Sequence, residues 1–161
     1  MNRLAIGLCF YISVIPAFAR QITPEDVNQI GQAYGAYLGF VKSMDYVSAT
    51  CGADAKNLSV LWTSRNQAQQ AQAEALLQRF IAQMVKQYGQ KQADQFQAQL
   101  HEQVDQMQME AAQKSFAKLT TLPPDQKSFV CRKFAASVQS GEWDIEKKNP
   151  ALYKYLATQA P

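Results

Sequence analysis

The feature that most narrows the fold is the spacing of the apolar residues, which follows a helical period nearly from end to end. Val27, Ile30, Tyr34, Tyr37, Leu38, Val41 and Met44 recur at steps of three and four, the pattern of one buried helix face. Thr23-Pro24-Glu25-Asp26 supplies the start of that helix: a capping hydroxyl, a proline at the first helical position and two acids favoured by the dipole. The helix is expected to reach about Cys51, where Gly52 can end it.

The same period continues downstream. Asp54 can cap a second helical region carrying Leu58, Leu61 and Trp62, with a weak break at Ser64-Arg65-Asn66. Helix then resumes from Ala68 to Tyr88 through Ala73, Leu76, Leu77, Phe80, Ile81 and Met84, and Gly89 offers a terminator. A third helix is expected from about Lys91 to Leu119, with Ala93, Phe96, Leu100, Val104, Met107 and Ala111 as its buried stripe. Its other side is crowded with glutamine (Gln92, Gln95, Gln99, Gln103, Gln106, Gln113), a good helix former that reads as a solvated face.

Pro124-Asp125 can open a fourth helix with Val130, Cys131, Phe134 and Val138 on its inner side, ended by Gly141. Asn149-Pro150 then caps and starts a short last helix with Leu152, Tyr153 and Leu156. No segment alternates with period two, and no Asn-Gly or Asp-Gly hairpin signal occurs. The expected fold class is all-α: a bundle of about four main helices plus short ones.

The first residues carry an address rather than structure. Arg3 precedes an apolar stretch, Leu4 to Phe18, and Ala17-Phe18-Ala19 is the small-x-small pattern that a signal peptidase accepts. We expect residues 1–19 to be a cleaved secretory signal peptide and residues 20–161 to be a single helical domain. The apolar stretch falls short of the roughly 20 residues that span a bilayer, and Pro16 interrupts it. No membrane span is therefore expected in the mature chain. The expected location is the periplasm, with the extracellular space as the alternative.

Cleavage removes Cys9 and leaves Cys51 and Cys131. An even pair in an exported chain is read as one disulfide, and without a C-x-x-C spacing it reads as a structural staple.

Chemistry is sparse. His101 is the chain's one histidine, and His101-Glu102-Gln103-Val104-Asp105 lacks the second imidazole that a zinc-peptidase helix needs. No metal and no cofactor is expected. Asp45, Glu142, Asp144 and Glu146 could in principle form a carboxylate pair, but none is singled out as catalytic, and Lys42 is the expected partner of Asp45. A net charge of +3 from 16 basic and 13 acidic residues argues against nucleic-acid binding.

Two features remain unabsorbed. Gly31, Gly35 and Gly39 repeat every fourth residue along the first helix, each costing roughly 1 kcal/mol relative to alanine in a helix interior. They form a bare strip, either for close packing of another helix or for a binding groove. Tyr34, Trp62 and Trp143 are aromatics suited to anchor either a core or an interface. The function expected from this set is a non-enzymatic exported protein that binds a protein partner, in the manner of an inhibitor, immunity protein or adaptor. The alternatives are a periplasmic binder of a small apolar ligand, with a pocket beside Gly35 and Trp62, or a holdase-type chaperone.

Overall fold

A computed structural model describes residues 24–158, with side chains from residue 28 onward. The leader, its cleavage position and the Thr23 cap lie outside the described residues. The chain forms α1 (Pro24–Cys51), a 3-10 turn (Gly52–Ala55), α2 (Leu58–Arg65), α3 (Gln67–Tyr88) and α4 (Gln90–Ser115). It continues through α5 (Lys118–Thr121), α6 (Pro124–Gln139), α7 (Ile145–Lys148) and α8 (Pro150–Thr158), with no strand among the described residues. The fold is an all-α bundle whose four long helices are α1, α3, α4 and α6.

α1 is the axis of the bundle, packing against α2, α3, α4, α6 and α8. Its periodic face supplies Tyr34, Tyr37, Met44 and Val47 to one continuous core, which also holds Trp62, Phe80, Ile145 and Leu156. Burying an aliphatic or aromatic side chain of this size contributes about 1.5–3 kcal/mol. α4 folds back on α3 across a single residue, Gly89, whose φ of +85° is open to glycine and costly for other residues.

The reversal after α1 is held by three kinds of bond. Cys51 and Cys131 form a disulfide with Cα atoms 5.7 Å apart, tying the end of α1 to the middle of α6. Ser48 Oγ donates to the Ala55 carbonyl at 2.9 Å and accepts from the Leu58 N–H at 3.1 Å, so one hydroxyl closes the turn between α1 and α2. Arg132 reaches Asp54 at 3.6 Å beside the disulfide.

Some expectations need correction. Asp54 does not cap α2: it lies within the 3-10 turn, and the cap position is Asn57, a left-handed residue with φ of +60°. Val130 is 38% exposed, because the inner stripe of α6 runs through Cys131, Ala135 and Val138. Tyr88, at the end of the α3 stripe, is likewise exposed. α4 stops at Ser115, where the Phe116 N–H bonds the Ala112 carbonyl, and a separate short α5 carries Leu119 inward. The last helix starts as expected, with Asn149 Oδ1 accepting from the Leu152 N–H at 3.0 Å.

The disulfide closes an 80-residue loop, which on chain-entropy grounds stabilises the fold by about 4–5 kcal/mol. Cys131 is only 1% exposed. Purified oxidised protein should therefore show no thiol reactive toward a labelling reagent without denaturant. Reduction, or Cys131→Ser, should lower the urea midpoint while far-ultraviolet circular dichroism still reports helix; full labelling of the native protein would contradict the bond.

Candidate interaction site

The glycine strip of α1 has two fates. At Gly35 a Cβ would stand 3.6 Å from Val104 Cγ1 and 3.5 Å from Gln108 Nε2, ordinary contact distances for a helix packed closely against α4. At Gly39 it would stand 2.6 Å from Gln108 Oε1, so the Gln108 amide occupies the space a side chain would take. At Gly31 nothing lies within 4 Å. The strip is thus internal packing at its middle and C-terminal end and open at its N-terminal end.

Gln108 was not legible as a packing residue, and it shifts the stripe of α4. Beyond Val104 the inward positions are Gln108 and Ala112, whereas Met107 is 57% exposed and Ala111 is also exposed. The physical reason lies across the interface. Glycines on α1 leave a slot shaped for a long, thin amide side chain, and α4 turns that residue inward. Lys42 also faces α4, where it pairs with Asp105 at 3.1 Å rather than with Asp45.

Three adjoining hollows share Ala36 on the outer face of α1. One, about 530 Å³, lies between α1 and α4 and is lined by Gly31, Gly35, Val104 and Met107 among others. The second, about 250 Å³, continues along the same pair of helices past Gly39, Ser43 and Ala112 to Trp143. The third, about 410 Å³, lies between α1 and α8, with Gln32, Leu152 and Tyr155 in its lining. Together they form an open trough along α1, flanked by α4 throughout, by α8 beside Gln29–Ala36 and by Trp143 at the far end. Among the described residues, no Asp, Glu, Lys or Arg lines any of the three, in a chain that is 18% charged.

The aromatic candidates divide between core and trough. Trp62 is fully buried; its indole stacks on Phe40 at 5.3 Å, and its Nε1–H donates to the Trp143 carbonyl at 2.7 Å. Tyr34 is a core residue with the His101 ring 5.8 Å away. Burial, reinforced by Glu74, raises the pKa of both Tyr34 and its neighbour Tyr37, the latter to about 12, so both hydroxyls stay neutral at physiological pH. Trp143 is half-buried at the end of the trough, packed on Phe134 at 4.8 Å, with its Nε1–H donated to Ser137 Oγ at 3.0 Å and the Lys148 ammonium 4.7 Å from the ring. The structure therefore leaves Gly31 and Trp143 at the surface, packs Gly35 and Gly39 against α4, and sends Tyr34 and Trp62 inside. The hollow beside Gly35 does not reach Trp62.

Trp143 is placed by a polar joint that the sequence showed only as a break. Asn66, 2% exposed, sits between α2 and α3. Its Oδ1 accepts from the Ile145 N–H at 2.9 Å, and its Nδ2–H donates to the Trp62 carbonyl at 2.9 Å. Beside it Arg65 forks onto Asp144, Nε to Oδ1 at 3.0 Å and Nη2 to Oδ2 at 2.6 Å. The chain reaches this joint through Gly141, with φ of +77°, where the Glu142 N–H bonds the Ser137 carbonyl and the Gly141 N–H bonds the Val138 carbonyl. A Cβ at Gly141 would collide with the Arg65 guanidinium, so glycine serves both the turn and the ion pair.

The four acids considered for a carboxylate pair do not converge. Asp144 is engaged by Arg65, Glu142 and Glu146 are exposed, and Asp45 lines a separate hollow with Ser59, Val60 and Thr63. Among the described residues, no group of three or more His, Cys, Asp or Glu side chains is placed to hold a metal ion. No described helix is long and apolar enough to cross a membrane. No protein family, curated protein or solved structure matches the chain.

Three substitutions test this geometry in denaturant unfolding. Gly31→Ala should stabilise by about 0.5–1 kcal/mol, because it removes backbone entropy where there is room for a methyl, whereas Gly35→Leu should destabilise by about 1–3 kcal/mol through overpacking against Val104 and Gln108. Asn66→Ala strands the buried Ile145 N–H and should cost about 1–3 kcal/mol. An effect within error of zero for Asn66→Ala would show that the joint does not hold α7 in place.

Proposed function

We propose that the mature chain, residues 20–161, is an exported, non-enzymatic protein that binds a protein partner through the trough along α1. The observation that carries this reading is the trough's lining. A surface whose described lining carries no formal charge, floored by alanine and edged by an exposed methionine and a tryptophan among neutral amides, has the charge depletion of an interface core.

Export is supported by the leader and by the cysteine pair it leaves behind. The stapled bundle suits a compartment without cytosolic reductants. A small apolar ligand is served less well by the trough, since such ligands are held in sites that bury most of their surface, and these hollows are open along their length. A holdase would want a broad apolar surface, whereas the exposed large apolar residues, Val60, Tyr88, Met107 and the adjacent Phe129 and Val130, are spread over four different helices.

The test is a paired capture from the native envelope fraction, using the wild-type protein and Ala36→Arg. A charge at the point shared by all three hollows should abolish recovery of a stoichiometric partner while changing the melting temperature by no more than a few degrees. The protein recovered from that fraction should begin at Arg20. Equal capture by both proteins would move the interface off the trough, and a precursor retained in the cytosol would remove export.

A further inference from the structure

The outward side of α6 sets exposed apolar side chains among basic ones, and it is separate from the trough: no described residue of α6 lines any of the three hollows. We propose that this face docks the protein reversibly on an anionic phospholipid bilayer, with Phe129 and Val130 entering the interface and Lys127, Arg132 and Lys133 held among the headgroups.

Helical spacing brings these residues together. Phe129 is 62% and Val130 is 38% exposed, two large apolar residues side by side at the surface. Lys133 lies one turn on from both, Arg132 one turn on from Phe129, and Lys127 one turn back from Val130. The apolar pair is thus flanked by three cations, and Asp125 at the start of α6 is the one acid of that helix. Arg132 reaches Asp54 at 3.6 Å and still keeps 62% of its side chain exposed.

Charge along the chain is segregated in the same sense. Lys114, Lys118, Lys127, Arg132 and Lys133 against Asp125 give residues 111–141 a net charge of +4, so the rest of a chain whose total is +3 is slightly acidic. A negatively charged surface attracts this segment and turns it inward.

The chemistry favours a bilayer over a folded acidic partner. The outside of a helix is convex, so a protein would need a matching cavity to bury Phe129, whereas a lipid interface deforms around it. Lysine and arginine carry long apolar stems that cover surface beside Phe129 while their charged heads reach phosphate. A small apolar insertion or a few cations alone binds weakly, and the two together give reversible attachment. The face is also preorganised. Cys131, between Val130 and Arg132, points inward at 1% exposure and is bonded to Cys51, which pins α6 from beneath. Docking therefore orders little backbone that the fold has not ordered already.

The test is vesicle co-sedimentation of the oxidised mature protein at about 0.1 M salt, where charges act over about 10 Å. Vesicles of phosphatidylcholine with phosphatidylglycerol should bind at least tenfold more tightly than phosphatidylcholine alone. Phe129→Ala and Lys133→Glu, both at exposed positions, should each weaken that binding about fivefold with little change in melting temperature. Lys91→Glu, the same charge change at the start of α4, should alter it less than twofold. Phe129→Trp should keep the binding and add a blue-shifted emission on the anionic vesicles that the wild-type protein lacks. Ala36→Arg should bind vesicles as the wild type does, so loss of a protein partner from the trough and loss of lipid binding are read separately. No sedimentation at millimolar anionic lipid, equal binding to both vesicles, or equal losses in Lys91→Glu and Lys133→Glu would overturn the proposal. So would binding indifferent to Phe129→Ala, which would be charge attraction without insertion. Soluble polyglutamate that binds as tightly as the vesicles, with the same dependence on Phe129, would assign the face to an acidic protein and overturn it as well.

Discussion

One helix has to satisfy neighbours around most of its circumference, and the rest of the molecule follows from how it does so. α1 buries Tyr34, Tyr37, Met44 and Val47 toward α2, α3 and the C-terminal segment, and it meets α4 along its glycines. An aromatic face and a bare face on the same rod produce two different kinds of contact. On the aromatic side, packing is deep and the core is continuous. On the bare side, α4 comes close where Gly35 and Gly39 meet Val104 and Gln108, and the outer surface beyond is left as a trough.

Two cross-links hold the remaining elements to that rod, and they differ in physical character. The Cys51–Cys131 disulfide acts mainly on the unfolded chain by shortening its largest loop. The joint at Asn66 acts on the folded state. It gives a buried backbone N–H its acceptor, fixes the turn at Gly141 through the Arg65–Asp144 fork, and so delivers the Trp143 carbonyl to the Trp62 indole. The position of Trp143 at the trough's end is a consequence of that joint. A surface feature is thereby set by polar contacts on another side of α2.

Much of the fold was legible from residue spacing. The periodic faces of α1 and α3, the glycines after α1, α3 and α6, and the Asn149-Pro150 start of α8 all follow from local rules, because each depends on residues within a turn or two. The cysteine pairing was legible by elimination once the leader was set aside. The errors share a cause. Hydropathy ranks methionine above glutamine and so points Met107 rather than Gln108 inward, and a slot made by two glycines on another helix reverses that order. Lys42 was assigned to its neighbour in sequence, and a carboxylate on α4 stood closer. The break at Asn66 is where the spacing puts it, but its role as a joint is not legible, because its partners lie 78 and 79 residues away.

The sequence alone determined the all-helical class, the glycine stops after α1, α3 and α6, and the two sulfurs available for a staple. These are set by period, capping chemistry and residue count, which act over short distances along the chain. Only the tertiary structure decided which end of the glycine strip is filled and which is open, that Trp62 is interior while Trp143 reaches the surface, and that the described lining of three adjoining hollows on the outer face of α1 carries no charge. Those outcomes depend on which helices lie beside one another, and nothing local in the chain encodes that.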